Sequence, residues 1–128
     1  MKQSSNNYNL EERTQKFGED IIEFAKEIYK NSITSPIVNQ LVRAGTSVGA
    51  NYTEANGADS KKDFIHKIGI SKREARETKH WLRMLARCLP ERKEEIKLLW
   101  KECQELTLIF QKIISSLQNK DLNNKIEN

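Results

Sequence analysis

Residues 60–89 read SKKDFIHKIGISKREARETKHWLRMLARCL, and the fold turns on how this stretch is read. Phe64, Ile68, Ala75, Leu82, Leu85, Ala86 and Leu89 gather on one side of a wheel drawn at about 100° per residue, the pattern of an amphipathic α-helix. Ser60 followed three residues later by Asp63 has the form of a capping box, which starts the helix, and Pro90 stops it. At about 1.5 Å per residue the helix is roughly 45 Å long, so it sets the length of the whole domain.

Three more helices flank it. Before it, residues 36–55 carry only Arg43 and Glu54 as charges. Thr34 or Ser35 is placed to cap this segment, with Pro36 in its first turn, and Asn56-Gly57 suits the left-handed conformation that ends helices. Earlier still, Leu10, Phe17, Ile21, Phe24, Ala25 and Ile28 form one apolar stripe between Leu10 and Lys30. After Pro90, the apolar positions Ile96, Leu99, Trp100, Cys103, Leu106, Ile109, Phe110, Ile113, Ile114 and Leu117 define a fourth helix with Glu91, Glu94 and Glu95 at its start, where the macrodipole favours negative charge. Four amphipathic segments with short connections predict an all-α, antiparallel up-down-up-down four-helix bundle. Residues 10–119 make the single domain, between a flexible N-terminus (1–9) and a frayed tail (120–128).

The composition agrees. The chain has 128 residues, 31% charged, with five glycines and two prolines, too few turn residues for a sheet sandwich. No run approaches the roughly 18 apolar residues of a membrane span, and the N-terminus has no apolar leader, so the expected compartment is the cytoplasm. Cys88 and Cys103 are too few for a disulfide framework and are expected as free thiols. Antiparallel helices would hold them beyond the roughly 7 Å that a bridge allows.

Net charge is +4, but it is unevenly spread. The first helix holds four bases and six acids, a net of −2, and the fourth holds six and five, a net of +1. The third holds Lys61, Lys62, Lys67, Lys72, Arg73, Arg76, Lys79, Arg83 and Arg87 against Asp63, Glu74 and Glu77, nine minus three, a net of +6. On the wheel, Lys61, Lys72, Arg76, Lys79, Arg83 and Arg87 share one sector of about 80°, flanked by Lys62 and Arg73. A ridge of this kind, with Lys72, Arg73, Arg76, Lys79, Arg83 and Arg87 at its centre, is the footprint of contact with a nucleic-acid backbone. A solvated helix face is the plainer alternative. No base-reading element accompanies the ridge, so binding would follow shape and charge.

The second helix should be buried, because its small residues Ala44, Gly45, Ser47, Gly49 and Ala50 let other backbones approach. Gln40, Arg43, Ser47, Asn51 and Glu54 line a second, polar face. Glu74, Glu77 and Trp81 on the third helix are the candidates to meet it, either within one chain or as a network between subunits. Trp81 and Trp100 are expected in the core.

Catalysis finds little support. Glu77-Thr78-Lys79-His80 has the Glu-x-x-His spacing of di-iron bundles, with Asp63 to His66 a near miss, but both lie on one helix and both histidines fall on its polar side. There is no phosphate loop and no nucleophile elbow. No metal, cofactor or enzymatic activity is expected.

Residues 40–55, QLVRAGTSVGANYTEA, together with 60–70, SKKDFIHKIGI, and 72–82, KREARETKHWL, resemble the bacterial four helix bundle protein family, also called the 23S rRNA intervening-sequence protein or S23 ribosomal protein family. That resemblance implies an antiparallel bundle assembling into a ring, typically a homopentamer with a central channel, and no known catalytic activity. Some members are encoded within intervening sequences of large-subunit rRNA genes. Relatives include the accessory variability protein of diversity-generating retroelements, which binds nucleic acid and a reverse transcriptase through a positive surface. Arg43, Ser47, Asn51, Glu54, Glu74 and Glu77 fall on the family's recurrent polar positions, and Lys72, Arg73, Arg76, Lys79 and Arg83 on its basic helix. The functional expectation is therefore a non-catalytic homo-oligomer that binds RNA or DNA, the alternative being an adaptor for another protein with the ridge merely solvated.

Overall fold

The computed structural model describes residues 9–127. The helices are α1 (Leu10–Lys26), α2 (Thr34–Asn56), α3 (Lys61–Cys88) and α4 (Lys93–Glu127), with a single 3-10 turn at Pro90–Arg92 before the last. Together they form the expected all-α four-helix bundle. Cross-helix bonds mark how neighbours meet: Gln15 to Thr53 for α1 with α2, Ser71 to Val48 for α2 with α3, Lys79 to Gln104 for α3 with α4, and Arg13 to Glu102 for α1 with α4.

Phe17, Ile21, Phe24, Leu41, Val48, Ile68, Leu82, Leu85, Leu106 and Phe110 fill the interior at 2% exposure or less. Each such side chain contributes roughly 1.5–3 kcal/mol by leaving water, and truncating Leu82 to alanine would cost about 2–5 kcal/mol. Tyr52 of α2 reaches Phe110 of α4 across the middle, ring centroids 6.1 Å apart. The small residues of α2 do bring a backbone close, and that backbone belongs to α1. A Cβ on Gly45 would sit 3.0 Å from Ile21, and one on Gly49 3.1 Å from the Thr14 carbonyl oxygen. The basic helix α3 is thus held in place by a tightly seated α1–α2 pair on one side and by α4 on the other.

Several boundaries differ from the sequence expectation. α1 stops at Lys26 rather than Lys30, because Ile28 turns inward to plug the end of the core at 6% exposure. The cap of α2 is neither Thr34 nor Ser35. Asn31 Oδ1 accepts from the Ile33 and Thr34 amides at 2.8 and 2.9 Å, while the Thr34 hydroxyl donates back to the Tyr29 carbonyl at 3.0 Å. An asparagine oxygen thereby satisfies two donors that the helix start leaves open. Gly57 closes α2 at φ −98°, with its amide donating to the Glu54 carbonyl, and no described residue takes a positive φ, so the left-handed ending is not used. Ser60 caps α3 as expected, accepting from the Asp63 amide at 3.0 Å.

α4 continues to Glu127, beyond the expected end near residue 119. No Gly or Pro follows Pro90, so nothing in the backbone stops propagation once the helix is under way. Of the expected flexible N-terminus, residues 1–8 lie outside the described residues, and Asn9 already accepts the first helical bond from the Arg13 amide. Both cysteines are free thiols. Cys103 is buried, and that burial pushes its thiol well above the usual range. No helix among the described residues is long and apolar enough to cross a membrane.

Candidate nucleic-acid interface

Two heptad stripes run along α3. Ile68, Ser71, Ala75, Thr78, Leu82 and Leu85 alternate at intervals of three and four and are all buried. On the far side, positions 66, 69, 73, 76, 80, 83 and 87 repeat the same spacing and hold His66, Gly69, Arg73, Arg76, His80, Arg83 and Arg87. A 3.5-residue repeat keeps one seam inward along a helix in a bundle. The outer stripe, of equal period, therefore stays outward over about 31 Å from His66 to Arg87. All of its members except Gly69 are exposed, and none is a carboxylate.

The predicted ridge is divided by this geometry. Arg73, Arg76, Arg83 and Arg87 stand on the outer stripe, and among the described residues none of them has a hydrogen-bonding or ion-pair partner. Lys72 and Lys79 are half-buried instead, because their long stems lie along the apolar seam with α4. Lys72 Nζ donates to Gln111 Oε1 and Lys79 Nζ to Gln104 Oε1, each at 2.5 Å. The Lys79 ammonium also lies 5.1 Å from the centre of the Trp100 ring. Trp100, expected in the core, is 38% exposed and forms the platform for that lysine. Gln104, Gln111 and the Trp100 platform were not readable as partners, because their only sequence signal is a glutamine or tryptophan facing an unknown register.

The basic surface has extensions at both ends. Near the α3–α4 turn a shallow depression is lined by Arg83, Met84, Ala86, Arg87, Pro90 and Lys93, which adds a cation from α4. At the other end, Lys61, Lys62, Ile65 and Gln118 line a second depression.

The opposite margin of α3 is electrically closed. Arg43 of α2 donates from Nε to Gln40 Oε1 at 3.1 Å, from Nη1 to Glu74 Oε1 at 3.2 Å, and from Nη2 to Glu77 Oε2. Trp81 Nε1 donates to the same Glu77 oxygen at 3.0 Å. The Trp81 bond, followed by the Arg43 bond, holds the Glu77 carboxyl below its usual range, while Glu77 first and Glu74 after it raise the Arg43 guanidinium. Further along, Lys67 Nζ donates to Glu54 at 2.9 Å, which raises the lysine.

The structure thus brings Gln40, Arg43, Glu74, Glu77 and Trp81 into one cluster and sets Glu54 with Lys67 in another, all within a single chain. Ser47 and Asn51 do not join either. The Ser47 hydroxyl donates to the Arg43 carbonyl at 2.6 Å and the Asn51 amide to the Ser47 carbonyl at 2.9 Å, each one turn back on its own helix. Nor is α2 buried all round, since Gln40, Arg43, Ala50 and Thr53 are exposed. A bundle of four leaves every helix an outer face.

The sequence profile of the 23S rRNA-intervening sequence protein family matches residues 6–112. The chain belongs to this family. The matched span includes α1, α2, α3 and α4 as far as Lys112, and so contains both margins of the basic helix. Among solved structures, the chain is similar to a protein of unknown function from the S23 ribosomal protein family of Bacteroides thetaiotaomicron, at 30% identity and a TM-score of 0.73, covering 81% of this chain and 96% of that one. Curated proteins gave no match. Membership in the family fixes the bundle and leaves the use of the outer stripe to be argued from its chemistry.

Proposed function

We propose that this chain is a non-catalytic, homo-oligomeric cytoplasmic protein that binds the sugar–phosphate backbone of structured RNA or DNA through the outer stripe of α3. One observation carries the reading: four arginines, Arg73, Arg76, Arg83 and Arg87, stand in line on a face that holds no carboxylate, while Glu74 and Glu77 of the same helix are neutralised by Arg43 of α2. Guanidinium groups suit phosphate because their donor fork matches its geometry. Self-assembly, which the family resemblance implies, would repeat the stripe and raise affinity through multivalency.

The stripe itself holds no Phe, Tyr or Trp; of the nearby indoles, Trp81 is bonded to Glu77 and meets His80 edge-on, and Trp100 lies beneath Lys79. Backbone contact is therefore favoured over base stacking. The test is a salt series of binding to a 20-base-pair RNA duplex, its DNA counterpart and a single strand. Duplex binding that weakens linearly on a log–log plot, with a slope of about −3 to −4 for the four arginines of one protomer, supports the reading. Unchanged affinity after reversing Arg73, Arg76 and Arg83 to glutamate overturns it.

The adaptor reading draws on exposed apolar side chains away from the stripe, Tyr29 and Ile33 at one end of the bundle and Leu98 on α4. Failure to bind any of the three probes, with nuclease-resistant retention of a protein partner, would favour it.

A further inference from the structure

Gly69 lies near the N-terminal end of the arginine–histidine stripe, between His66 and Arg73 and eight residues after the start of α3. Glycine inside a helix costs stability relative to alanine, so it needs a reason. Gly45 and Gly49 have theirs, because a Cβ on either would meet α1 at 3.0–3.1 Å. Gly69 has none within the chain, since a Cβ built there meets nothing within 4 Å. Its neighbours on the stripe are His66 one turn before, Arg73 one turn after and Arg76 beyond, with no carboxylate among them. The depression containing Lys62 and Ile65 opens beside it on the N-terminal side.

We propose that Gly69 is a seat for the ligand's backbone, the point where a sugar–phosphate strand packs directly on bare helix while His66, Arg73 and Arg76 hold the adjoining phosphates. The inference rests on the nucleic-acid reading above and deepens it by naming where contact is closest. A position without a side chain between His66 and Arg73 lets the strand approach by the depth of a side chain. The flanking arginines can then reach phosphates on either side without lifting the strand over an obstacle. A second copy docked stripe to stripe is a poorer occupant, because it would set arginine against arginine; a copy docked through another face is separated by the sedimentation arm below.

The experiment compares Gly69→Ala, Gly69→Leu and the Arg73→Glu/Arg76→Glu/Arg83→Glu triple variant for melting temperature, sedimentation and binding to the 20-base-pair RNA duplex. Alanine should raise the melting temperature by about 4 °C, as a better helix former, and yet weaken binding about threefold. Leucine should weaken it at least tenfold with the helical circular dichroism intact. Loss of binding in the triple variant alongside wild-type affinity in Gly69→Leu would overturn the seat and leave the wider reading standing. Wild-type affinity in the triple variant removes both. A change in sedimentation of Gly69→Leu without RNA would assign the glycine to a contact between copies and overturn the seat. If leucine prevents folding, the stabilised alanine variant decides alone, and unchanged affinity there counts against the proposal.

Discussion

The two flanks of α3 carry similar residues and opposite electrostatics. Toward α2, Glu74 and Glu77 meet Arg43, and Lys67 meets Glu54, so cations and carboxylates close on each other inside one chain. On the outer stripe, Arg73, Arg76, Arg83 and Arg87 face no acid. The lesson is that a helix's net charge says little about its reach. Of the +6 on α3, the part that can act on a partner is the part the fold has not already answered, and only cross-helix geometry separates the two. The α4 seam is intermediate: Lys72 and Lys79 keep their charge but spend their donors on Gln111 and Gln104.

The largest effect should come from the stripe. Reversing Arg73, Arg76 and Arg83 to glutamate changes six charge units and should weaken duplex binding by at least about 100-fold at 0.1 M salt. The melting temperature should move little, because none of the three supports a contact in the bundle. An equal loss of stability would break the contrast with the α2 margin.

The α2 margin should respond the other way. Glu77→Ala leaves the Arg43 guanidinium and the Trp81 indole N–H without their shared acceptor. The site is partly open to water, so the cost is about 1 kcal/mol, read as a lower urea midpoint with duplex affinity unchanged. The pH dependence has a definite sign. Glu77 is held below its ordinary value of 4.5 by Trp81 and then Arg43, so its contribution is complete above that value and is lost as pH falls through the lower folded value. A Glu77→Gln protein should show a shallower loss of stability below about pH 4.5 than the unmodified chain.

The bundle, the Ser60 cap and the long basic helix were legible in the sequence because each rests on local chemistry: apolar spacing, a serine three residues before an acid, a proline stop. Arg43 and its acids were legible as well, since a nearly uncharged helix with one arginine needs an answer from its neighbour. What stayed hidden depended on how neighbouring helices meet. A wheel drawn for α3 alone put Lys72 and Lys79 beside Arg76 and Arg83, and only the position of α4 shows that their ammonium groups fold back on Gln111, Gln104 and Trp100. Asn31 escaped as the cap of α2 because Thr34 and Ser35, nearer the periodic run, have equal capping chemistry. Ser71, bonded to the Val48 carbonyl at 3.1 Å inside the bundle, gave no signal beyond being a small polar residue at an apolar position.

The smallest expected effect divides the ridge most finely. Lys79→Ala and Arg76→Ala remove one positive charge each from neighbouring turns of α3, and on net charge alone they should be equivalent. Arg76 has no partner in the described chain, so its loss should leave stability within about 0.5 kcal/mol and lower the salt slope of duplex binding by about one. Lys79 donates to Gln104 and covers the Trp100 ring, an arrangement worth roughly 0.5–1 kcal/mol at a partly exposed site. Its loss should lower the melting temperature by a few degrees and expose Trp100, visible as a red shift of tryptophan fluorescence. The salt slope should change by well under one, since the ammonium faces α4 rather than the stripe. Equal slopes for the two variants would mean that Lys79 leaves its glutamine to reach the phosphates, and the basic surface would then extend across the α3–α4 seam.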